Sequence, residues 1–188
     1  MSTLRQSFIS QRKKLTAQEQ DSAAQVIFER LQNILMDKQN QNIACYLPIH
    51  GEVNTKNIID HIWLHNKNCY LPVMQADKTL IFLKYQPETT LIKNHLGILE
   101  PECTEMISPE HLDVVIAPLV GFDEAGTRLG YGVGCYDRTF YFLSSVNTSR
   151  KPSLIGLAYD FQKCLSLTKN SWDIPLDVII TPTKTYIV

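Results

Sequence analysis

A glycine-rich stretch at residues 118–138 holds residue types that bind phosphate. Gly130, Gly132 and Gly134 alternate along it, with Arg128 before them and Asp137 after them. Glycine lacks Cβ and tolerates positive φ, so the successive N–H groups of such a loop can converge on an anion. Arginine adds a forked donor for phosphate oxygens, and a carboxylate suits a magnesium ion bound to a polyphosphate. This composition indicates a polyphosphate site.

The two common nucleotide-binding motifs do not fit this loop. Cys135 stands where a dinucleotide-binding fingerprint needs its third glycine, and no Gly-Lys-Ser/Thr follows as in a P-loop. The structural alternative is that the glycines only build a tight turn. The nearby Arg128, Tyr136 and Asp137 favour a binding site over that alternative.

Short apolar runs alternate with helical patterns along the chain. Thr16 and Glu19 form a capping box that starts one helix, and another helix is predicted from about Thr55 to His65. Six strands are predicted, at residues 43–47, 69–73, 80–85, 113–118, 154–158 and 178–181. This alternation predicts the α/β class, as a three-layer, Rossmann-like open sheet that is mostly parallel with helices on both faces.

The predicted strands place the glycine loop and Glu52 at the same edge of the sheet. The loop follows the strand at 113–118 and precedes a helical pattern, and Glu52 follows the strand at 43–47. Ligands of open α/β sheets bind beyond the carboxyl ends of the strands. We therefore expect Glu52 and the loop to face one crevice. Residues 86–109 are predicted to be loop-rich. The basic run at 12–14 is expected to be a solvated face, with Arg12 as a weaker candidate for phosphate contact.

The composition predicts one cytoplasmic domain that spans residues 1–188. The chain is 44% hydrophobic, enough for one core, and its 18 Lys and Arg against 19 Asp and Glu provide no positive field for nucleic acid. The five cysteines include no C-x-x-C pair, which is typical of a reduced protein. No secretory segment and no apolar run of about 18 residues is present, so we expect neither secretion nor a membrane span.

The pattern Phe-Asp-x-x-Gly-x-Arg-Leu-Gly-x-Gly-x-Gly-x-Tyr-Asp-Arg at residues 122–138 resembles the signature of the 5-formyltetrahydrofolate cyclo-ligase family, also called methenyltetrahydrofolate synthetases. Weaker family features follow in order over nearly the whole chain: Leu4-Arg5, Tyr46-Leu47-Pro48, Gly51-Glu52-Val53, Leu71-Pro72-Val73, residues 97–101, residues 155–158 with Gln162, and residues 173–177. Three places depart from the family pattern. No lysine precedes Leu4, Cys135 replaces the first of two tyrosines, and Trp172 stands where histidine is common.

The resemblance implies ATP and Mg²⁺ as cofactors and a small folate as the substrate. The nucleotide would be bound by Arg5, Arg128, Leu129, Gly130, Tyr131, Gly132, Val133, Gly134, Cys135 and Tyr136. The folate would be bound by Glu52 and by residues 131–136 of the same loop. Arg128, Tyr136 and Asp137 are the catalytic candidates, and Asp137 and Asp177 would hold the metal.

Structural roles for four of these residues stay open on the sequence alone. Asp137 could complement a helix dipole, and Asp177 could be a solvated acid at the start of a strand. Glu52 could be an ordinary loop acid, and Arg5 a solvated arginine of the first helix.

The implied reaction converts ATP and 5-formyltetrahydrofolate into 5,10-methenyltetrahydrofolate, ADP and phosphate. The formyl oxygen would be phosphorylated, because it is otherwise a poor leaving group. N10 would then add to the activated carbon and phosphate would depart, with no protein nucleophile. The open alternatives are a non-catalytic folate or nucleotide binder and another phosphosubstrate enzyme on a related α/β fold. We expect a monomer.

Overall fold

The computed structural model describes residues 2–94, 97–144 and 152–188. The helices in these ranges are α1 (Ser2–Arg12), α2 (Ala17–Met36), α3 (Lys56–Leu64) and α4 (Cys135–Thr139). The strands are β1 (Asn42–Ala44), β2 (Asn68–Met74), β3 (Leu80–Lys84), β4 (Leu91–Lys93), β5 (Leu99–Pro101), β6 (Met106–Ile107), β7 (Val114–Ala117), β8 (Gly121–Phe122), β9 (Arg128–Leu129), β10 (Ser153–Leu157), β11 (Val178–Ile180) and β12 (Thr185–Ile187). Short 3₁₀ turns lie at Pro109–His111, Tyr141–Ser144 and Asp160–Gln162.

In the described ranges the main sheet has eight strands, in the order β12-β11-β10-β7-β1-β2-β3-β6. The five central strands, β11, β10, β7, β1 and β2, run parallel, and β12, β3 and β6 join antiparallel at the two sides. The parallel strands follow the doubly wound order 2-1-3-4-5, with the reversal of strand order between β1 and β7. The predicted fold class is confirmed, and all six predicted strands lie in this sheet.

Several short strands were absent from the prediction. Residues 86–109, which were predicted to be loop-rich, contain the β4–β5 hairpin and β6. A second hairpin, β8–β9, separates β7 from the glycine loop. These strands have only two or three residues, too few to show the alternating pattern from which strands are predicted.

Two apolar layers cover the faces of the sheet. On one face α2 packs Ile27, Leu31 and Leu35, spaced four residues apart, against the strands together with α3. On the other face α4 and the turn that follows it pack around Phe140. The predicted capping box of α2 is present, because the Thr16 hydroxyl accepts the Glu19 N–H at 3.2 Å.

Helix α1 lies against the segment that joins β7 to the glycine loop. Its Phe8 packs in a small cluster with Val120 and Leu129. Gly121 permits this approach, since a Cβ there would lie 2.8 Å from the Phe8 ring. The first helix is therefore held beside the loop that carries the candidate site.

All five cysteines lie in the described ranges, and none forms a disulfide. Cys45 and Cys69 are buried, and burial raises the pKa of Cys45 to about 12. These core thiols therefore stay protonated. No helix of the described ranges is long and apolar enough to span a lipid bilayer.

Candidate active site

A cavity of about 1260 Å³ opens beyond the carboxyl ends of β1 and β7. Tyr46, which follows β1, and Pro118, which follows β7, both line it. Strand order reverses between these two strands, and open α/β sheets bind their ligands at that point. Pockets for one small molecule usually measure about 300–1,000 Å³. This cavity therefore has room for two ligands.

The glycine loop, residues 130–134, lies between β9 and α4 and forms part of the cavity wall. Gly132 and Gly134 have φ values of +99° and +73°, which side chains with a Cβ rarely adopt. In the described chain, no hydrogen bond is donated by a backbone N–H of residues 130–134. The loop therefore presents unpaired donors, which fits an anion such as a polyphosphate.

Arg5 adds a positive charge beside this loop. Its Nε donates to the carbonyl oxygen of Gly130 at 2.7 Å. A Cβ built on Gly132 would lie 3.5 Å from the Arg5 guanidinium, so the charge lies over the middle of the loop. The first helix thus brings a cation to the predicted phosphate site.

Arg128 and Asp137 form an ion pair on the other side of the loop. Arg128 Nη2 donates to Asp137 Oδ1 at 2.6 Å, and Nη1 donates to the Ile174 carbonyl oxygen at 2.7 Å. The same Oδ1 accepts the Ile174 N–H at 3.1 Å. Burial lowers the pKa of Arg128, and the nearby Asp137 carboxylate opposes that effect. The guanidinium stays charged, because the pKa of arginine is far above neutral pH.

Glu52 also lines the cavity, next to Tyr131 of the glycine loop. Its Oε2 accepts the Ile49 N–H at 2.9 Å, and its Oε1 accepts the Tyr131 hydroxyl at 2.8 Å. The residue is only 5% exposed, and this burial raises the pKa of its carboxyl group. The hydrogen bonds and the nearby Arg12 partly oppose that shift. The site thus holds one buried carboxyl group that faces a pocket large enough for a ligand.

Tyr136 and Cys135 line the cavity as neutral groups. The Tyr136 ring lies under the Arg128 guanidinium, 5.7 Å from its Cζ, and stacks on Phe140. The Cys135 thiol is 3.4 Å from the Met74 sulfur. Burial raises the pKa of both side chains, so neither provides an anionic nucleophile at neutral pH.

The structure brings together all but one of the residues predicted for the site. Around the cavity lie Arg5, Glu52, Arg128, Leu129, Gly130, Tyr131, Gly132, Val133, Gly134, Cys135, Tyr136 and Asp137. The exception is Asp177, which borders a separate cavity of about 460 Å³.

The position of Asp177 follows from the direction of the strands. It immediately precedes β11, and its Oδ2 accepts the Leu154 N–H at 2.8 Å near the start of β10. Strands β10 and β11 are parallel, so Asp177 lies at the amino edge of the sheet. Glu52 follows the carboxyl end of β1, at the opposite edge. The structure therefore does not bring Asp177 and Asp137 together at the large cavity.

Two residues of this region were missed by the sequence analysis. Asp173 and Trp172 line the large cavity, although only Asp177 of the same segment was selected. Arg12, which was expected on a solvated face and was only a weaker candidate for phosphate contact, is fully buried against Tyr131 and Glu52. The available signal for Asp173 was the pair of acids in the segment 173–177.

Asp137 and Asp173 are the carboxylates of this cavity that fit a magnesium ion. Both of the hydrogen bonds that Asp137 accepts use Oδ1, which leaves Oδ2 as a possible ligand. No group of three or more His, Cys, Asp or Glu side chains in the described ranges could hold a metal alone. Magnesium commonly takes one or two carboxylates and completes its shell with water and phosphate oxygens. The donor set fits that arrangement.

Comparisons with known proteins identify the family. The profile of the 5-formyltetrahydrofolate cyclo-ligase family matches residues 1–182. The chain belongs to this family. A 5-formyltetrahydrofolate cyclo-ligase of Haemophilus influenzae is 39% identical over 174 residues, which cover 90% of this chain and 91% of the relative. One from Escherichia coli is 35% identical over 179 residues, with coverages of 93% and 96%.

Solved structures agree with this assignment. The 5,10-methenyltetrahydrofolate synthetase of Aquifex aeolicus superposes with a TM-score of 0.82 at 30% identity, covering 99% of this chain and 91% of that one. The 5,10-methenyltetrahydrofolate synthetase of Mycoplasma pneumoniae superposes with a TM-score of 0.77 at 28% identity, covering 96% of this chain and 98% of that one. The resemblance seen in the signature at residues 122–138 is confirmed, and the protein is a ligase of folate metabolism.

Proposed function

We propose that the protein cyclises 5-formyltetrahydrofolate to 5,10-methenyltetrahydrofolate in a reaction that requires ATP and Mg²⁺ and releases ADP and phosphate. The observation that carries this proposal is the shared cavity of about 1260 Å³, which is lined by both the glycine loop and Glu52. A direct transfer between two substrates needs both of them in one space.

ATP is assigned to the glycine loop. The unpaired N–H groups of residues 130–134 and the guanidinium of Arg5 provide donors and positive charge for phosphate oxygens. The two hydrogen bonds of Arg128 use one N–H of each Nη, so further donors of its fork remain for a phosphate. This part of the cavity therefore matches the charge of a polyphosphate.

The folate is assigned to Glu52. The amino-pyrimidine edge of a pterin presents hydrogen-bond donors, and a carboxylate accepts them. The cavity lining also includes the apolar side chains of Leu71, Pro72 and Met74, which suit a flat ring. Tyr131 contributes a ring and a hydroxyl beside Glu52.

Magnesium is assigned to Asp137 and Asp173, in place of the pair of Asp137 and Asp177 expected from the sequence. When bound, the ion would neutralise charge on the phosphates. Around it Arg128 would hold the transferring phosphate and stabilise the charge that develops on it. Tyr136 supports the Arg128 guanidinium from below.

The chemistry needs alignment more than protein nucleophiles. The formyl oxygen attacks the γ-phosphate, N10 then adds to the activated carbon, and phosphate leaves. The protonated Tyr136 and Cys135 take no covalent part. Binding both substrates in one cavity supplies the proximity that this sequence of steps requires.

An absorbance assay tests the proposal. Purified protein is mixed with 5-formyltetrahydrofolate, Mg²⁺ and ATP, and the near-ultraviolet band of methenyltetrahydrofolate is followed against a sample without ATP. We expect a rise that depends on ATP. Folded protein that gives no such rise would refute the proposed reaction.

The metal assignment has a matched test. Asp173→Asn should raise the Mg²⁺ concentration needed for half-maximal turnover, whereas Asp177→Asn should leave it at the wild-type value. The reverse result would restore Asp177 as the ligand. Because Asp177 accepts the Leu154 N–H, its variant is checked for folding by circular dichroism before the comparison.

Two further proposals concern the setting of the reaction. The protein is proposed to act as a monomer. Five cysteines without a disulfide support a reducing compartment such as the cytoplasm.

A further inference from the structure

Arg12, the last residue of α1, is fully buried. Its Nη1 donates to the Leu119 carbonyl oxygen at 3.2 Å, and its Nη2 donates to the Tyr131 hydroxyl at 2.7 Å. Nη1 also lies 3.9 Å from Glu52 Oε1. In the described chain its buried Nε has no hydrogen-bond partner. Arginine is almost never fully buried unless it is paired, because desolvating its charge costs free energy. Its partners therefore point to a role in the site.

The Tyr131 hydroxyl connects Arg12 to Glu52. It accepts from Arg12 Nη2 and donates to Glu52 Oε1 at 2.8 Å, so both of its roles are used. Tyr131 belongs to the glycine loop, to which ATP is assigned, and Glu52 is the residue to which the folate is assigned. The Arg12–Tyr131–Glu52 chain therefore directly links the groups assigned to the two substrates.

The same helix holds the loop at a second point. Arg5 and Arg12 are seven residues apart, about two helical turns, and so lie on one side of α1. Arg5 Nε bonds to the Gly130 carbonyl oxygen, and Arg12 Nη2 bonds to the next residue, Tyr131. Helix α1 thus contacts the loop at two points and, through Tyr131, also contributes to the orientation of the Glu52 carboxylate.

We propose that Arg12 is a positioning residue that couples the two substrates, so that binding of either one through the Arg12–Tyr131–Glu52 chain strengthens binding of the other. This inference rests on the proposed function, which assigns ATP to the loop and folate to Glu52. A ligand that holds Tyr131 also holds Glu52 through the hydrogen bond between them, so the second ligand restricts the site less when it binds. The coupling is reciprocal by thermodynamic linkage.

Calorimetry measures this coupling directly. The affinity for 5-formyltetrahydrofolate is measured alone and in the presence of Mg²⁺ with the non-hydrolysable β,γ-imido analogue of ATP. For the wild type we expect the affinity to rise by about 5-fold or more, the lower range of measured couplings. Tyr131→Phe removes only the hydroxyl, and the ratio of affinities should fall towards 1.

Two arginine variants complete the comparison. Arg12→Met should also reduce the ratio, whereas Arg30→Met should keep the wild-type ratio. Arg30 is a suitable control because it is exposed and also bonds backbone carbonyl oxygens, those of Pro182 and Thr183, outside the cavity. If Arg12→Met does not fold, Tyr131→Phe decides the question.

The outcomes separate this inference from the proposed function. A wild type that makes no methenyltetrahydrofolate refutes the function itself. A wild type that turns over but shows a ratio near 1, or a Tyr131→Phe variant with the wild-type ratio, overturns only the coupling. Kinetics give a second measurement: the KM for ATP should fall with rising folate in the wild type and be independent of folate in Tyr131→Phe. A merely structural role would reduce the amount of active enzyme without removing that dependence.

Discussion

Replacement of Arg128 by alanine should abolish most turnover. It should also lower the free energy of unfolding, but not enough to unfold the protein. The Arg128 side chain is 6% exposed and that of its partner Asp137 is 22% exposed. Removing one member of a buried ion pair costs about 3–5 kcal/mol, and the partial exposure of Asp137 favours the lower end, about 3 kcal/mol. Most domains have a free energy of unfolding of about 5–15 kcal/mol. The variant should therefore remain mostly folded.

The loss of activity should be larger than the loss of stability explains. Deleting a group that stabilises charge in a transition state typically lowers the rate by about 10²–10³-fold. We expect Arg128→Ala to show a decrease of this size in the ATP-dependent formation of methenyltetrahydrofolate. Urea denaturation followed by circular dichroism gives the free energy of unfolding for the same preparation. Arg30→Ala, on the surface of α2, is the matched arginine control.

A double-mutant cycle with Asp137→Asn tests the ion pair. Asparagine keeps an oxygen that can accept the Ile174 N–H, but it removes the charge that Arg128 neutralises. The sum of the stability losses of the two single variants should therefore exceed the loss of the double variant by about 0.5–3 kcal/mol. Additive losses would refute the pairing, and near-normal turnover by folded Arg128→Ala would refute its catalytic role.

Three further predictions follow from the geometry of the site. Gly132→Ala should lower the free energy of unfolding by about 1–2 kcal/mol, because the φ of Gly132 is +99°. Gly130→Ala should change this free energy little, because Gly130 has no such φ. Equal effects of the two variants in urea denaturation would contradict the loop conformation. Burial raises the pKa of Glu52, so the folded state holds this proton more tightly than the unfolded chain does. The stability of the wild type relative to Glu52→Gln should thus fall as pH rises from about 4 to about 8, and a rise would contradict this sign. Trp63→Phe leaves Trp172, which lines the cavity and is 58% exposed, as the single tryptophan. The fluorescence of this variant should change on addition of Mg²⁺ and ATP. Unchanged emission from an active variant would place Trp172 away from the nucleotide.

The sheet was predictable because its central strands are buried on both faces. Such strands read as continuous apolar runs, for example Val114–Ala117, and need no alternating pattern to be recognised. The shared position of Glu52 and the glycine loop followed from one rule, that ligands bind beyond the carboxyl ends of parallel strands. That rule depends only on the order of elements along the chain.

The errors arose where burial depends on distant residues. Arg12 begins a basic run with Lys13 and Lys14, a local pattern typical of solvent exposure. Its burial depends on Leu119 and Tyr131, more than a hundred residues away in sequence. No local periodicity carries that information, so the residue that bonds Tyr131 beside Glu52 was interpreted mainly as surface and only as a weaker candidate for phosphate contact.

The sequence analysis selected Asp177, whereas the structure places Asp173 on the large cavity, and the reason is a different one. The carboxyl-edge rule that located Glu52 also excludes an acid that immediately precedes a parallel strand, as Asp177 precedes β11. Asp173 belongs to the loop before that strand, and its neighbour Ile174 bonds to both Arg128 and Asp137. The loop thus leaves β10 at the carboxyl edge, passes the cavity at Asp173 and reaches the amino edge only where the chain enters β11. Strand direction locates an acid within a strand, but for a connecting loop only the tertiary path decides which edge it reaches.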